Sequence, residues 1–360
     1  MVAIAFDARI VNERGTSVAL YDYADAAERL LGCRPIIFHE SGGAADDVQS
    51  LRRFRDRFEV ISYSNFADLE ANVRGEGADL FYTLKIGKRD GRLVGGVRNA
   101  VHVIFQHYEP HGDVYAYVSQ WLSEHMTMGR QPWVPHIVSL PLANANLRPD
   151  WGLPADAVIL GRHGGYDQFD LPFAHAAVEL ALARRGDLHF VFVNTAPFIR
   201  SSRVKFLPPI YDPQAKANFI AACDGMIHAR KAGESFGLAI AEFLALDKPV
   251  ICWEGGKDRN HVAMVPGRER VYRSGRDLLR ILTTFQPHPG TGVYRAAVAS
   301  FSPEAVMRRF QAVFIDGEDS PAPPPWPFRL RSKLATRAIV LRGRLWRDRG
   351  LAELRSVAAR

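Results

Sequence analysis

Two glutamates on either side of a predicted helix start are the residues best suited to chemistry. Glu234 lies in a loop, and Glu242 follows after seven intervening residues, inside a helix predicted over Ser235–Leu246. The first amide groups of a helix have no partner within it, and the helix dipole adds positive potential there. An anion such as a diphosphate is therefore expected at this helix start.

The residues between the two glutamates favour the same ligand. Ser235 is expected to cap the helix through its side-chain oxygen. The amides expected to point at a diphosphate are those of Phe236, Gly237 and Leu238. A carboxylate two turns into the helix can accept from both hydroxyls of a ribose, as acidic residues do in dinucleotide folds. The segment thus predicts a site for a nucleoside diphosphate that carries a sugar, with Glu234 at the sugar and Glu242 at the ribose.

The elements that must position this segment alternate in type along the chain. Short apolar runs such as VAIAFD, RPIIFH and DLFYTL are separated by amphipathic segments such as Ser17–Leu31. A stretch at 140–156 contains three prolines and no sustained period, and residues 143–156 of it are the expected linker. The alternation then restarts with AVILGR and continues to a helix at Gly275–Thr283. This pattern predicts two α/β domains with mainly parallel sheets, at 1–142 and 157–302, joined by a linker.

Composition excludes several classes of protein. Hydrophobic residues make up 47% and charged residues 24% of the 360 residues, which is typical of soluble globular chains. No window approaches the roughly 20 apolar residues of a spanning helix, and the amino terminus lacks a signal-peptide core. Cys33, Cys223 and Cys252 are scattered, so they are expected to be reduced packing residues in a cytoplasmic protein.

The positive charge is concentrated in the last residues of the chain. Ten of the 46 lysines and arginines, but only two of the 39 acids, lie in 328–360, so this tail carries +8 and the rest −1. A body that binds nucleic acid is therefore not expected. In the tail, Leu330, Leu334, Ala338, Leu341 and Leu345 recur at helical spacing with Trp346 beside them, after a proline-rich spacer at 317–327.

This spacing predicts a basic amphipathic helix at the end of the chain. Three partners stay open for it: the protein's own body or another protein, an anionic membrane surface, or nucleic acid. Between the second domain and the spacer, a helix is expected at 303–316.

The segment ESFGLAIAE, followed by a helix ending in DKPVI, resembles the Glu-x7-Glu motif of retaining GT-B glycosyltransferases, especially family 4. The resemblance implies two Rossmann-like domains facing across a cleft, with the helix at 303–316 crossing back to the first domain. It also implies that Glu234 is catalytic and that Ser235–Leu238 with Glu242 bind the donor.

The resemblance extends to the first strand of the second domain. Arg162 stands where the family has an arginine that pairs with the donor diphosphate, and a guanidinium fork suits phosphate oxygens. The family usually adds a lysine five or six residues later, where this chain has Asp167 and Gln168. The amides of Gly164 and Gly165, the imidazole of His163 or the cation of Lys205 are the candidate substitutes, although Gly164–Gly165 also fits a plain tight turn.

Two candidates come from the first domain. Gly15 lies where the family has its glycine-rich loop, and His107 follows a buried strand, where family 4 enzymes commonly have a histidine near the reacting sugar. The alternative for His107 is a histidine satisfied by backbone groups. A metal held by His107 and His111 lacks a third ligand, and no Asp-x-Asp ends a strand, so no metal or other cofactor is expected.

The resemblance therefore implies a retaining hexosyltransferase that moves sugar from a nucleoside diphosphate donor to an unknown acceptor, and the lack of an Asp-x-Asp indicates that no metal is needed. The charge of the tail points to a membrane-linked glycan or lipid as that acceptor. The basic tail would place it at the inner face of a membrane, in assembly of a polysaccharide or glycolipid. Two alternatives stay open: a sugar-nucleotide epimerase of the same fold, and a non-catalytic subunit recruited to a membrane complex.

Overall fold

The computed structural model describes residues 1–43, 45–154, 156–317 and 323–358. The chain divides into two compact units, one of residues 1–137 and 300–332, the other of residues 138–299 and 333–360. Residues 138–142, expected in the first domain, thus group with the second unit, and the helix after residue 302 groups with the first. The proline-rich spacer lies partly outside the described residues.

The first unit is built on a six-stranded parallel sheet in the order β3-β2-β1-β4-β5-β6. Its strands are β1 (Ala3–Ala8), β2 (Arg34–Glu40), β3 (Val60–Tyr63), β4 (Leu80–Lys85), β5 (Arg98–Val103) and β6 (Val114–Tyr117). Its helices up to residue 137 are α1 (Gly15–Leu31), α2 (Val48–Arg57), α3 (Phe66–Gly75) and α4 (Gln120–Thr127). The alternation in the sequence predicts all of these elements except α4.

The second unit repeats the plan. Its main sheet, also parallel, has the order β14-β12-β10-β7-β8-β9, and a two-stranded ladder joins β11 to β13. The strands are β7 (Val158–Arg162), β8 (Leu188–Val193), β9 (Val204–Leu207), β10 (Gly225–Ile227), β11 (Gly233–Glu234), β12 (Val250–Trp253), β13 (Asp258–Arg259) and β14 (Val271–Tyr272). The helices are α5 (Pro172–Arg184), α6 (Pro213–Ala222), α7 (Leu238–Ala245), α8 (Asn260–Met264), α9 (Gly275–Thr284) and α10 (Val293–Ala297).

Both main sheets therefore follow the strand order 3-2-1-4-5-6 of dinucleotide-binding folds. In such sheets the first and fourth strands are neighbours, and their connections leave in opposite directions. This reversal opens a crevice at the carboxyl ends of the two strands, where ligands bind. In the second unit the reversal lies between β7 and β10.

One helix start and one helix end differ from the prediction. The pattern of the second domain predicts a helix from Gln168, but α5 begins at Pro172, since the residue before a proline disfavours helical backbone. The helix expected over 303–316 begins at Pro303 as predicted, but its α-helical part, α11 (Pro303–Phe310), ends at Phe310 and a π-helical turn follows at Gln311–Ile315. It completes the core of the first unit with Val306, Met307, Phe310, Val313 and Phe314.

The last helix, α12 (Trp326–Ala358), starts inside the predicted spacer. Pro327 is its second residue, a position where a proline removes no helical hydrogen bond. In the second unit the helix packs by its small residues: a Cβ on Gly343 would lie 2.1 Å from the carbonyl oxygen of Gly255. Trp346, expected beside the leucine stripe, packs inward, with its ring centre 6.0 Å from that of Trp253.

All three cysteines are free and buried, as the sequence predicts. Among the described residues, no helix combines the length and the apolar character needed to cross a membrane.

The close approach of α12 predicts that Gly343→Ala destabilises the protein. The added methyl group overlaps a backbone oxygen that no side-chain rotation can move, so we expect a loss of about 1–3 kcal/mol in the free energy of unfolding. Gly75→Ala is the matched control, because Gly75 also lies in a helix but a Cβ there meets no atom within 4 Å. Denaturant unfolding of both variants checks this; equal stability of Gly343→Ala and wild type would contradict the packing of α12.

Candidate functional site

The segment between β10 and α7 lies at the strand reversal of the second unit. β10 ends at Ile227 and α7 begins at Leu238, with the short strand β11 between them. Arg162 is the last residue of the neighbouring strand β7. The fold thus brings Arg162 and the two predicted glutamates to the carboxyl edge of one sheet, where a ligand is expected.

The start of α7 differs from the prediction. The residue before the helix is Gly237, with φ of 96°, and no side chain caps the helix, so Ser235 does not have the expected capping role. Left-handed backbone at Gly237 turns the chain into the helix three residues later than predicted. The first-turn amides are therefore those of Leu238, Ala239 and Ile240, while the amides of Phe236 and Gly237 precede the helix.

Glu242 is buried and paired with two basic side chains. The Nζ atom of Lys216, from α6, lies 2.8 Å from Oε1, and the Nε2 atom of His163 lies 3.1 Å from Oε2. Burial raises the pKa of the Glu242 carboxyl, but Lys216 and His163 outweigh burial and lower that pKa to about 2. Glu242 is therefore ionised at neutral pH although it is only 4% exposed.

Of the two partners of Glu242, His163 was predicted from the sequence and Lys216 was not. Burial lowers the pKa of His163, more than the carboxylate of Glu242 raises it, so the imidazole is neutral at pH 7. Its ring stacks on Phe243, with centres 5.8 Å apart. His163 was a predicted substitute for the missing lysine. Lys216, which was not predicted, supplies a cation from another helix.

Glu234 lies in a second basic cluster. The Nη1 atom of Arg230 donates to its Oε2 at 2.6 Å, and Nε2 of His228 lies 3.4 Å from its Oε1. Burial raises the pKa of Glu234, but His228 and Arg230 outweigh it and lower the pKa to about 2. A carboxylate that holds no proton at neutral pH can accept hydrogen bonds and stabilise positive charge, but it cannot act as a general acid.

His261 fixes the backbone of Glu234. Its Nε2 lies 2.8 Å from the carbonyl oxygen of Trp253, and the amide of Glu234 donates to its Nδ1 at 3.2 Å. Burial and His228 lower the pKa of His261 to about 3, so the ring is neutral. The proton must then lie on Nε2, since Nδ1 accepts. His261 was not predicted, because no spacing in the sequence connects it to the motif.

Gly233 is required next to Glu234. Its φ is +73°, and a Cβ there would lie 1.9 Å from the carbonyl oxygen of Asp258, in the ladder of β11 with β13. Both the left-handed backbone and the close strand favour glycine. The ladder thus holds the loop so that Glu234 lies beside Gly237, the residue before α7.

Arg162 is buried and orders the loop that follows β7. Burial lowers the pKa of Arg162 to about 10, which leaves it charged at neutral pH. The guanidinium donates to the hydroxyl of Thr195, to the carbonyl of Asn194 at 3.2 Å and to the carbonyl of Gly165 at 2.9 Å. The carbonyl of Gly164 accepts from the side chain of Asn194. The fork has donors beyond these bonds for a further oxygen ligand.

The remaining predicted residues lie elsewhere. Lys205 is in β9, the edge strand, two strands away from β7, and its charge acts on His189. In the first unit, Gly15 is the first residue of α1. His107 lies in the loop after β5, where its carbonyl accepts from the hydroxyls of Tyr115 and Tyr117.

The described part of the chain contains no group of three or more His, Cys, Asp or Glu side chains arranged to hold a metal ion. In particular, Nδ1 of His111 lies 2.6 Å from the carbonyl oxygen of Glu109.

Several solved structures are similar to this chain in fold. A glycosyltransferase from Rickettsia africae is similar with a TM-score of 0.66 and 13% identity, over 88% of this chain and 98% of that one. Anabaena HepE, solved with UDP-glucose, has a TM-score of 0.60 and 16% identity, over 94% and 100%. A Listeria monocytogenes protein assigned as a UDP-N-acetylglucosamine 2-epimerase has a TM-score of 0.52 and 11% identity, over 89% and 99%.

The comparisons confirm the predicted fold: the chain has the GT-B fold, with two parallel-sheet α/β units and a C-terminal helix. No model of a known protein family matches the sequence. No protein of curated function matches it either.

The buried carboxylate predicts an acid-dependent loss of stability. The pKa of Glu242 is about 2 in the folded chain and near 4.5 in the unfolded chain, so its stabilising effect is complete above pH about 4.5 and disappears as pH falls towards about 2. Such a shift corresponds to on the order of 3 kcal/mol. Between wild type and Glu242→Gln, we expect the difference in the free energy of unfolding to shrink by on the order of 3 kcal/mol as the pH falls from about 4.5 to about 2. Denaturant unfolding at several pH values measures this difference.

The control for this experiment is Glu179→Gln, at an exposed position of α5. It should keep the pH dependence of the wild type. A constant difference between wild type and Glu242→Gln from pH 5 to pH 2 would show that the carboxylate is not held ionised by Lys216 and His163.

Proposed function

We propose that the protein is a retaining glycosyltransferase that moves a sugar from a nucleoside diphosphate donor to an acceptor. The observation that carries this proposal is the pair of ionised glutamates on either side of the start of α7, Glu242 buried and Glu234 partly buried. Their place at the strand reversal of a 3-2-1-4-5-6 sheet is where such folds bind nucleotides.

The nucleoside half of the donor is assigned to Glu242. Each carboxylate oxygen has two lone pairs, and Lys216 and His163 engage one oxygen each. The second lone pair on each oxygen can accept a ribose hydroxyl. Because Lys216 and His163 keep the group ionised, these hydrogen bonds would be charge-assisted and correspondingly strong.

The diphosphate is assigned to the start of α7 and to Arg162. The first-turn amides that begin with Leu238 offer donors without helical partners, and the loop of Gly164 and Gly165 lies beside them along the same sheet edge. These groups would stabilise the charge on the departing diphosphate, which is the role that a metal ion has in other transferases. Lys205, in the edge strand, is the least supported of the predicted donor contacts.

The sugar is assigned to Glu234. Its pKa of about 2 makes it an acceptor for sugar hydroxyls and a source of negative charge beside a carbon that becomes oxocarbenium-like. His261 and Gly233 would act on the reaction only by holding Glu234 in position. Departure of the diphosphate and attack by the acceptor on the same face would retain the configuration.

The solved structures that share this fold support glycosyl transfer as the class of reaction. Several structures of this fold are glycosyltransferases, and HepE holds UDP-glucose. By this likeness we propose a hexose as the transferred group. Because Arg162 and the α7 amides are assigned to the diphosphate, we also propose transfer without a metal. We further propose a glycan or lipid-linked acceptor, in polysaccharide or glycolipid assembly.

A second candidate function is conversion of a sugar nucleotide into its epimer. It is favoured by one observation, the likeness to the Listeria monocytogenes protein assigned as a 2-epimerase. Such a reaction needs no acceptor, so the two functions differ in what the donor alone becomes.

The test is incubation of the purified chain with hexose donors of UDP, GDP, ADP and dTDP, followed by NMR of the sugar and measurement of released nucleotide. We expect slow release with one donor and faster release with glycan or lipid-linked acceptors. Glu234→Gln should lower kcat by about 100-fold or more, because it removes charge at the reacting centre. Glu242→Gln should mainly raise KM, because it removes a contact to the part of the donor that does not react.

Asp224→Asn is the matched control for both variants. Asp224 is a partly buried carboxylate that is also paired with a cation, Arg148, but it precedes β10 and so lies at the opposite edge of the sheet. It should keep the wild-type kcat and KM. Wild-type kinetics in both glutamate variants would contradict the proposal, and formation of the donor's stereoisomer without acceptor would support the epimerase instead.

A further inference from the structure

The helix α12 has an exposed leucine face that does not pack against the rest of the protein. The face that packs on the second unit consists of Gly343, Trp346, Gly350 and Leu354. Two of these are glycines, which bring the helix backbone close to the unit. The leucine stripe is therefore not the surface by which the helix packs on its own protein.

Three leucines of the second unit point away from the packed face. Leu334, Leu341 and Leu345 are 53%, 60% and 49% exposed. With 3.6 residues per turn, they fall within an arc of about 40°, roughly opposite the arc of the packed residues. Leu330 and Trp326 continue the same stripe towards the start of the helix and are also exposed.

This concentration of apolar surface is unusual for the chain. Of the fourteen large hydrophobic side chains that are exposed in the described residues, five lie on α12, and most of the others occur singly on other elements. Single exposed apolar residues are normal, whereas a contiguous patch indicates an interaction surface.

Basic residues border the stripe on both sides. By the same helical geometry, Arg342 and Arg349 flank it on one side, and Lys333, Arg337 and Arg344 flank it on the other. All five are exposed, and the helix contains no acidic residue before Asp348. By the same geometry Asp348, which is exposed, lies on this face, so one carboxylate opposes five cations. The surface therefore combines a stripe of leucines with a border that is predominantly cationic.

We propose that this face of α12 docks on an anionic lipid surface. Leucines between two rows of cations match a bilayer interface, where the apolar side chains enter the acyl boundary and the cations meet the head groups. A nucleic acid would use the cations but leave the leucines in water. A protein partner would need an acidic apolar groove, whereas a membrane offers negative charge and apolar depth along the whole helix.

The docking goes beyond the proposed glycosyl transfer and does not depend on it. The lipid surface is recognised by α12, while the donor is assigned to the edge of the sheet between β7 and β10. Binding to vesicles can therefore be measured without a nucleotide, and either proposal can fail without the other.

The test is flotation of the full-length protein with vesicles of phosphatidylcholine alone or with one third phosphatidylglycerol. We expect binding only to the anionic vesicles, and weaker binding as salt rises, because screening shortens the reach of the charges. The variant Arg337→Gln/Arg342→Gln/Arg344→Gln should bind about 100-fold more weakly, since each cation near such a surface strengthens binding about fivefold. The variant Leu334→Gln/Leu341→Gln/Leu345→Gln should lose at least about tenfold.

Two control variants carry the same changes on other surfaces. Arg184→Gln/Arg276→Gln/Arg280→Gln removes three exposed cations of α5 and α9, and Val48→Gln/Leu142→Gln/Val293→Gln removes three exposed apolar side chains. Both should bind the vesicles as the wild type does. Thermal unfolding of all four variants confirms that each remains folded, which is expected because every substituted side chain is exposed.

Three results would overturn the proposal. The first is the absence of wild-type flotation with anionic vesicles. The second is an equal loss in the α12 variants and the controls, which would indicate attraction by net charge alone. The third is flotation that is unchanged in the leucine variant and abolished by competing duplex DNA, which would indicate a general polyanion surface.

Discussion

The structure of the candidate site depends on keeping two carboxylates charged although one is buried and the other partly buried. An ion moved out of water is stable only when opposite charges and hydrogen bonds lie at contact distance. Glu242 meets this condition with Lys216 and His163, and Glu234 meets it with Arg230 and His228. The cost of breaking either pair is high, so the partners of each carboxylate are as important to the site as the glutamates themselves.

This constraint explains why the site lies at one edge of one sheet. The partners of the two glutamates come from the loop after β7, from α6 and from the loop after β10, and these elements converge only where the strand order reverses. The left-handed glycines Gly233 and Gly237 allow the chain to pass between the two carboxylates within a few residues. Without that turn, the two charges would not lie on either side of a helix start.

Much of the fold could be predicted from the sequence, because alternating apolar runs and amphipathic segments constrain both sheets to be parallel. The start of α7 could not, since Ser235 is a good capping residue and only the backbone conformation of Gly237 moves the start to Leu238. Lys216 and His261 could not be found either. Their contacts with the motif join residues 26 and 27 positions apart, which arise from tertiary packing and leave no local pattern.

The central claim is that the ionised Glu242 forms part of a nucleotide site. Its most direct test is calorimetric titration of UDP, GDP, ADP and dTDP into three proteins: wild type, Glu242→Gln and Asp224→Asn. One nucleotide should bind the wild type and Asp224→Asn equally, and should bind Glu242→Gln about tenfold or more weakly, since hydrogen bonds to a charged group contribute roughly 1.5–3 kcal/mol. Equal affinity in all three proteins, or no binding of any nucleotide to the wild type, would contradict the claim.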